Sequence, residues 1–306
     1  MTLTPAAAQN LRQALATVVA VPVTPFQADG TPDWDTYGAL TRRLVDGGIT
    51  VITPNGNTGE FYALTAAEAR HAAETAAAAC GGQAELLAGV GHDIATAAEA
   101  ARHAQDQGIR MVMIHQPVHP YVSRAGWIDY HAAIAAAVPD LGVVLYVRNE
   151  RITGADIAAL ADRAPNVIGV KYGVRDASTF AAVSRDAGIG RCTWLAGAAE
   201  LTAPSYWACG AHGFTSGLAN VDPALPLAML DALRGNDFGE AMKVWERARR
   251  FEELRAADAS ADNVSVVKEA LAQLGLCRPD VRPPSRLLPP AVKQEIKQIL
   301  TGWGLA

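Results

Sequence analysis

Lysine is scarce in this sequence, and its scarcity limits where amine chemistry can take place. Only five of the 306 residues are lysine, at positions 171, 243, 268, 293 and 297. The last four fall in helical segments near the C-terminus, where a solvated surface position is the ordinary expectation. Lys171 instead lies inside the apolar stretch NVIGVKYG, although burying an unpaired ammonium ion costs free energy.

Paired cysteines, a basic net charge and long apolar runs are absent. The four cysteines are far apart and form no C-x-x-C pair, which argues against a disulfide framework or a zinc site and favours reduced thiols. The formal net charge is −5, so nothing favours binding to nucleic acid or to an anionic membrane. No basic start with an apolar run marks a signal peptide, and no stretch approaches the roughly 18 apolar residues of a membrane span. We expect a cytoplasmic protein.

Eight short apolar segments rich in Val, Ile and Leu alternate with segments of helical character. The apolar segments are nearly continuous, as strands buried on both faces are. The helical segment 65–79 opens with Thr65 and has Glu68 three residues on, a capping-box pattern. Eight strand–helix repeats predict the α/β class and a (β/α)8 TIM barrel. The predicted strands are TVVAVPVTPF, ITVITPNG, ELLAGVG, MVMIHQP, GVVLYVRN, VIGVKYG, TWLAG and GFTSGLA.

An open doubly wound sheet is the structural alternative to a barrel. It would need a glycine-rich phosphate loop after the first strand, and VTPFQADGTPD does not supply one. The residues after the eighth strand are helical in pattern and predict a C-terminal helical appendage. We therefore predict a barrel over residues 1–235 and a C-terminal helical extension, packed on the barrel, over residues 236–306.

Polar residues at the carboxyl ends of barrel strands are the candidates for catalysis. Lys171 is the first, because a buried lysine loses proton affinity and can attack a carbonyl as a neutral amine. The alternative is a structural lysine paired with a carboxylate on a neighbouring strand. Tyr146 ends the preceding predicted strand, where its phenol can face the amine and move protons. A core tyrosine with a satisfied hydroxyl is the alternative.

Two loops carry candidate anion-binding groups. In PNGNTGEF, Gly56 and Gly59 flank Asn57 and Thr58, and glycines allow backbone N–H groups to turn towards an anion. We expect Glu60 to brace this loop. After Tyr146, the cluster of Arg148, Asn149 and Arg151 suits bidentate carboxylate binding, although a solvated loop has the same pattern. His115 and His119 are separated by Pro117, so a helical metal pair is excluded and no metal is expected.

Six motifs in register resemble the dihydrodipicolinate synthase/N-acetylneuraminate lyase family of class I aldolases. They are VPVTPF, GNTGEF, Tyr146 with Arg151, GVKYG, GFTSGLANVDP and NVSVVKEALAQLG, from about residue 15 to residue 290. The resemblance implies that Lys171 forms an imine with a keto group and that Tyr146 relays protons. It also implies that Thr58 hydrogen-bonds the tyrosine and the substrate, and that Asn57 and Thr58 hold the substrate carboxylate. The protein would then be a homotetramer or homodimer that needs no cofactor.

The departures from the family pattern concern the substrate. Dihydrodipicolinate synthase has a threonine where Asn57 stands, and a tyrosine pair where Val118 and His119 stand. The 5-dehydro-4-deoxyglucarate dehydratase branch is more similar, since its G-T-G-E-F loop and Y-N-R-N motif resemble NTGEF and YVRN here. Ser216 matches a serine of that branch and is a further candidate for substrate contact. Gly59 belongs to the same candidate substrate-binding set.

The resemblance leaves several functions open. The leading hypothesis is a Schiff-base lyase that dehydrates and decarboxylates 5-dehydro-4-deoxyglucarate to 2,5-dioxopentanoate. The second is a pyruvate-dependent aldolase or lyase, acting on a 2-keto-3-deoxy sugar acid or in the manner of dihydrodipicolinate synthase. The third is a non-catalytic barrel that binds a keto acid.

Overall fold

Eight parallel strands close into a barrel in sequence order in the computed structural model, which describes residues 2–306. Each strand falls inside a segment predicted to be one, so the prediction of a TIM barrel is confirmed. The strands are β1 (Val18–Ala20), β2 (Val51–Ile52), β3 (Glu85–Val90), β4 (Met111–Ile114), β5 (Gly142–Val147), β6 (Val167–Tyr172), β7 (Thr193–Ala196) and β8 (Gly213–Ser216).

One helix precedes the first strand, and the others connect the strands or follow the last one. None of the helices among residues 2–306 is long and apolar enough to cross a bilayer. The helices are α1 (Pro5–Leu15), α2 (Trp34–Asp46), α3 (Ala66–Cys80), α4 (Ile94–Asp106), α5 (Arg124–Ala137), α6 (Gly154–Arg163), α7 (Ala177–Asp186), α8 (Ala203–Ala208), α9 (Ala224–Arg234), α10 (Phe238–Ser260), α11 (Asn263–Gln273) and α12 (Pro290–Gly302).

The chain divides into two compact units. One contains the residues up to Val19 together with Glu85–Thr215, and the other contains Ala20–Ala84 together with Ser216–Ala306. The boundary at residue 235 between a barrel and a packed C-terminal extension stays a prediction. The helices α9 to α12 do follow the last strand, as the sequence pattern indicated.

In the first unit, α1 packs against the barrel strands. The sequence pattern had not predicted this helix. Its side chains Leu11 and Leu15 are buried, and Thr193 at the start of β7 donates a 2.9 Å hydrogen bond to the carbonyl of Arg12. A Cβ at Gly142 would lie 3.1 Å from Leu11 Cδ1. Glycine at the start of β5 therefore leaves room for the helix to approach the strands closely.

In the second unit, α3 begins with the predicted capping box. The backbone N–H of Glu68 donates to Thr65 Oγ1 at 3.2 Å, and the N–H of Thr65 donates to the Glu68 carboxylate at 2.8 Å. Arg282 donates to both oxygens of the same carboxylate, at 2.6 and 2.8 Å. Hydrogen bonding to Arg282 is the largest cause that lowers the pKa of Glu68 to about 2. This network ties the proline-rich segment around Arg282 to α3.

The expectation of a solvated surface position is wrong for Lys268. Its side chain is 0% exposed, because residues 264–271 of α11 are all buried and the helix has no solvent-facing side over that length. Lys243 and Lys297 are exposed as expected, and Lys293 is half-buried. The chain therefore contains two buried lysines, Lys171 and Lys268.

Candidate active site

Lys171 and Tyr146 lie side by side in the first unit, on adjacent strands. The parallel register of β5 and β6 pairs these two residues directly. Lys171 Nζ lies 4.6 Å from the centroid of the Tyr146 ring, and each residue is only 5% exposed. The sequence-based expectation that the two side chains face each other agrees with this arrangement. A buried amine against a phenol has the groups that imine formation and proton transfer need.

Glycine in the GVKYG motif makes room for the tyrosine. A Cβ at Gly173 would lie 3.1 Å from Tyr146 Cε2 and 3.6 Å from its hydroxyl oxygen. The backbone N–H of Gly173 donates to the carbonyl of Val147 at 2.7 Å, which extends the pairing of β5 and β6 past Lys171. The glycine therefore serves close packing against the Tyr146 ring.

Two residues that follow β4 hold Tyr146 from another side. The His115 ring is fully buried and packs edge-on against the Tyr146 ring, with centroids 6.1 Å apart. The Gln116 amide donates a 2.5 Å hydrogen bond to the Tyr146 carbonyl. From the sequence, His115 was a candidate only as a metal ligand, and Gln116 was not a candidate. Both are positioned to fix the orientation of the tyrosine.

The predicted cationic cluster lies on the loop after β5. Arg148 and Arg151 are exposed, and the half-buried Asn149 accepts a hydrogen bond from the Arg151 backbone N–H at 3.0 Å. Asn149 therefore shapes the turn that presents the arginines. Arg175, also exposed, follows β6 four residues beyond Lys171. A basic residue just past the end of the next strand is the signal that could have made Arg175 a candidate.

A buried carboxylate was also missed. Glu200 follows β7 and is 1% exposed, and the preceding Ala199 has a left-handed backbone with φ of 59°. A non-glycine residue in that region is strained, and such strain is found at functional sites. A glutamate in the otherwise apolar run AGAAELTAP was the available sequence signal.

The segment around His119, where the resemblance implies a tyrosine pair in dihydrodipicolinate synthase, lies at the surface. Val118 and His119 are exposed, and Tyr121 is 86% exposed. The Tyr121 backbone N–H donates to His119 Nδ1 at 3.1 Å, which gives this turn a local structure of its own.

In the second unit, the loop after β2 forms a single 3-10 turn over Asn57–Gly59. Its direction changes occur at Asn55 and Glu60, which have left-handed φ values of 61° and 60°. The glycines are needed for space instead, since a Cβ at Gly56 would lie 2.4 Å from Val21 Cγ1. Neither glycine has a left-handed φ value, and the expectation that N–H groups of this loop face an anion stays a prediction.

Some backbone N–H groups of this loop donate hydrogen bonds to carbonyl groups of the same loop. The N–H of Gly59 donates to the Gly56 carbonyl, and that of Glu60 donates to the Asn57 carbonyl, both at 3.0 Å. The carbonyl of Gly59 accepts a hydrogen bond from Thr24 at 2.8 Å. Within the predicted anion site, Gly59 therefore contributes packing, whereas Asn57 and Thr58 carry the side chains suited to bind a carboxylate.

Glu60 braces the loop, as expected. Its carboxylate accepts a 2.5 Å hydrogen bond from Lys268 and a 2.9 Å hydrogen bond from the Arg282 backbone N–H. Lys268 also donates to the Asp280 carbonyl at 2.8 Å, and its Nζ lies 4.0 Å from the centroid of the Phe26 ring. Burial lowers the pKa of Lys268, and the Glu60 carboxylate opposes that shift. A buried ion pair thus anchors the loop to α11.

Two further candidate side chains, Thr58 and Ser216, lie in the second unit. Thr58 is buried, and its hydroxyl oxygen lies 3.5 Å from Nη2 of Arg255, a residue that the sequence analysis did not single out. Ser216 is fully buried, and its hydroxyl accepts a hydrogen bond from the Ala219 N–H at 2.9 Å. Ser216 therefore caps the turn after β8, and its contact with substrate stays a prediction.

No group of three or more His, Cys, Asp or Glu side chains with the geometry of a metal site occurs among residues 2–306. The four cysteines are free thiols.

Comparison with known proteins places this arrangement in a family. The model of the dihydrodipicolinate synthetase family matches residues 14–302. The chain is 31% identical to 5-dehydro-4-deoxyglucarate dehydratase of Pseudomonas putida, over 75% of the chain and 76% of that protein. It is 29% identical to 4-hydroxy-tetrahydrodipicolinate synthase of Phenylobacterium zucineum, over 92% and 95% of the two chains. A crystal structure of dihydrodipicolinate synthase from Bacillus clausii is 38% identical, with a TM-score of 0.93 over 96% and 99% of the two chains.

Proposed function

Because the chain belongs to the dihydrodipicolinate synthetase family, whose members are lyases that act through a Schiff base, we propose that Lys171 forms that Schiff base here. The observation that carries the proposal is the pairing of two buried groups, with Lys171 Nζ 4.6 Å from the Tyr146 ring. We propose 5-dehydro-4-deoxyglucarate as the substrate and 2,5-dioxopentanoate, water and carbon dioxide as the products.

The first half of the proposed reaction makes the imine. The Lys171 amine adds to the ketone of the substrate, and Tyr146 moves the proton that lets the carbinolamine lose water. Asn57 and Thr58 hold the carboxylate next to the keto carbon. The imine acidifies the hydrogens of the neighbouring methylene, so loss of one of these protons gives an enamine. The electron pair of the enamine then expels the hydroxyl of the next carbon as water.

The second half uses the same imine as an electron sink. The conjugated imine accepts the electron pair of the bond to the distal carboxylate when carbon dioxide leaves. Protonation and tautomerisation turn the carbon that carried this carboxylate into the aldehyde, and water releases the product from Lys171. The substrate acid has the atoms of the product acid plus one water and one carbon dioxide, so the reaction balances without an oxidant or a reductant.

A dicarboxylate substrate requires a second anion site. We assign it to Arg148 and Arg151, because both guanidinium groups are exposed on the loop that follows Tyr146. Asn149 shapes that turn, and Ser216 is the proposed additional polar contact. Replacing either arginine by glutamine should raise KM for the dicarboxylate about tenfold and leave labelling by pyruvate unchanged. An unchanged KM in both variants would remove the arginines from the site.

A pyruvate-dependent aldolase or synthase is the second candidate. It is favoured by the 38% identity to the Bacillus clausii structure, which is described as dihydrodipicolinate synthase. Against that specific activity, Val118 and His119 stand where that enzyme has its tyrosine pair, and both are exposed. A keto-acid-binding barrel without catalysis is the remaining alternative.

Members of the family act on small keto acids and are typically oligomeric. We propose a homotetramer or homodimer located in the cytoplasm that works without a metal or organic cofactor. Analytical ultracentrifugation of the purified protein measures the assembly directly. A monomer at micromolar concentration would contradict this part of the proposal.

Borohydride trapping tests the proposed imine. The protein is incubated with pyruvate or with 5-dehydro-4-deoxyglucarate, reduced, and analysed by intact mass and peptide mapping. We expect one adduct on Lys171, none in Lys171→Arg, and an unchanged adduct in the surface control Lys243→Arg. An adduct from the sugar diacid with release of carbon dioxide supports the dehydratase. An adduct from pyruvate alone supports the aldolase, and no adduct with either compound contradicts both.

A further inference from the structure

Arg255 is a buried cation in the second unit whose contacts converge on the loop that carries Thr58. Arg255 is 6% exposed, although the rest of α10 carries many charged residues at its surface. Buried arginine is rare unless its charge is paired and its donors are used. The surroundings of Arg255 therefore indicate what its side chain does.

Four hydrogen bonds occupy the guanidinium. Nη1 donates to Glu252 at 2.5 Å, and Nη2 donates to Asn263 Oδ1 at 2.7 Å. Nε donates to the Asn263 carbonyl at 3.3 Å, and Nη2 also reaches Thr58 Oγ1 at 3.5 Å. The first three bonds hold the planar group in one orientation. The fourth and longest contact is the one directed at a proposed substrate-binding residue.

The backbone around Arg255 is shaped to keep it there. A Cβ at Gly217 would lie 2.2 Å from Nη2 and 2.7 Å from Cζ, so the guanidinium packs directly on the glycine backbone. The helical course of α10 is broken at Ala257, and Asp258 and Ala259 have left-handed φ values of 47° and 53°. This break brings Asn263, at the start of α11, back to Arg255. Left-handed non-glycine residues cost free energy, which the packed contacts must offset.

The chemistry of the contact gives it a direction. A guanidinium has five N–H donors and no acceptor, whereas a threonine hydroxyl has one donor and two acceptor positions. Thr58 can therefore only accept from Arg255, and its own hydrogen must point elsewhere. A buried cation 3.5 Å away also favours negative charge near the hydroxyl, because screening by water is weak in the interior.

We propose that Arg255 is a positioning residue that orients the Thr58 hydroxyl as a donor to the carboxylate of the keto-acid substrate. This inference rests on the proposed function, in which Thr58 and Asn57 hold that carboxylate. Arg255 itself does not touch substrate in this account. Its effect should appear in how strongly the keto acid is held before reduction, and it should disappear when Thr58 has no hydroxyl.

The test uses the full-length protein and the rate of borohydride labelling of Lys171 at increasing keto-acid concentration. The probe is pyruvate or 5-dehydro-4-deoxyglucarate, whichever labels the wild type. Arg255→Lys keeps a charge for Glu252 but loses the planar fork, and Gly217→Ala keeps Arg255 but displaces its guanidinium. Both variants should raise the half-saturating concentration about tenfold and change the maximal labelling rate less than about twofold. The control Arg249→Lys alters an exposed arginine of the same helix and should behave as wild type.

The decisive comparison is made in a Thr58→Val background. If Arg255 acts through the hydroxyl, adding Arg255→Lys to Thr58→Val should change the half-saturating concentration less than about twofold. If the two effects multiply, or if folded Arg255→Lys binds the keto acid as wild type does, the inference is overturned and the proposed function stands. If Arg255→Lys does not fold, the same comparison is made with Gly217→Ala in the wild-type and Thr58→Val backgrounds. If neither keto acid labels the wild type, the proposed function fails, and the role of Arg255 fails with it.

Discussion

Replacing Lys268 by methionine tests whether the buried ion pair under the Asn57–Gly59 turn holds this part of the second unit together. Methionine has nearly the same length and no charge. The substitution would leave Glu60, 3% exposed in its side chain, with the Arg282 backbone N–H as its remaining described donor. An uncompensated buried carboxylate is therefore created in the middle of a packed segment.

The expected loss follows from the burial of both partners. Breaking a buried ion pair by removing one partner costs about 3–5 kcal/mol, because the other charge remains desolvated. Lys268→Met also loses the hydrogen bond to the Asp280 carbonyl, which is worth about 1 kcal/mol. We expect the free energy of unfolding to fall by about 4 kcal/mol. Lys243→Met removes a surface pair, with side chains 76% and 50% exposed, and should leave the free energy of unfolding close to that of the wild type.

Urea unfolding at pH 7, followed by far-ultraviolet circular dichroism, measures these differences. The double variant Lys268→Met with Glu60→Gln removes both charges and should recover at least half of the loss. A Lys268→Met protein within about 1 kcal/mol of wild type would refute the reasoning. Equal instability of the single and double variants would show that packing, and not charge, accounts for the effect.

Three further predictions concern pH and packing. Burial lowers the pKa of His131 to about 4, below its ordinary 6.5, so folding stability should fall as pH drops from about 6.5 to 4. The wild-type midpoint of urea unfolding should therefore be lower at pH 5 than at pH 7, and this difference should shrink in His131→Gln. Arg282 lowers the pKa of Glu68 to about 2, so the contribution of the Glu68 carboxylate to folding stability is complete above about pH 4.5 and is lost towards pH 2. Glu68→Gln should accordingly cost about 1 kcal/mol at pH 7, allowing for screening, and much less at pH 2 in the same assay. Gly213→Ala should cost at least about 2 kcal/mol in thermal melting, because its Cβ would lie 2.3 Å from the Thr17 carbonyl oxygen.

The sequence was sufficient for the barrel because its signal is local and repeated. Each strand is a short apolar run, and helices such as α3 begin at recognisable caps such as Thr65. The helix α1 was missed although its start signal is in the sequence, since Thr4 caps it and Pro5 occupies its first turn. Leu11 and Leu15 then pack it against strands more than a hundred residues later in the chain.

The candidate site was predictable where strands that are consecutive in the chain are also adjacent in the barrel. Tyr146 and Lys171 end consecutive strands, so parallel pairing alone brings them together. Arg255 and Thr58 are 197 residues apart in sequence, and their contact depends on a backbone break after Ala256 that no residue type announces. The sequence suggested that Gly56 is needed for its conformational freedom, but in the structure glycine is needed there because Val21 leaves no room for a Cβ.

The two buried lysines together show how one residue type can serve two purposes. The structural role considered as the alternative for Lys171, a buried ammonium paired with a carboxylate, is the role that Lys268 fills with Glu60. Lys268 therefore serves as an internal reference in the trapping experiment: it is the second buried lysine, and its amine is held by an anion and a carbonyl. An ion-paired ammonium is a poor nucleophile, because only the neutral amine adds to a carbonyl. We therefore expect the keto acid to label Lys171 and to leave Lys268 unlabelled.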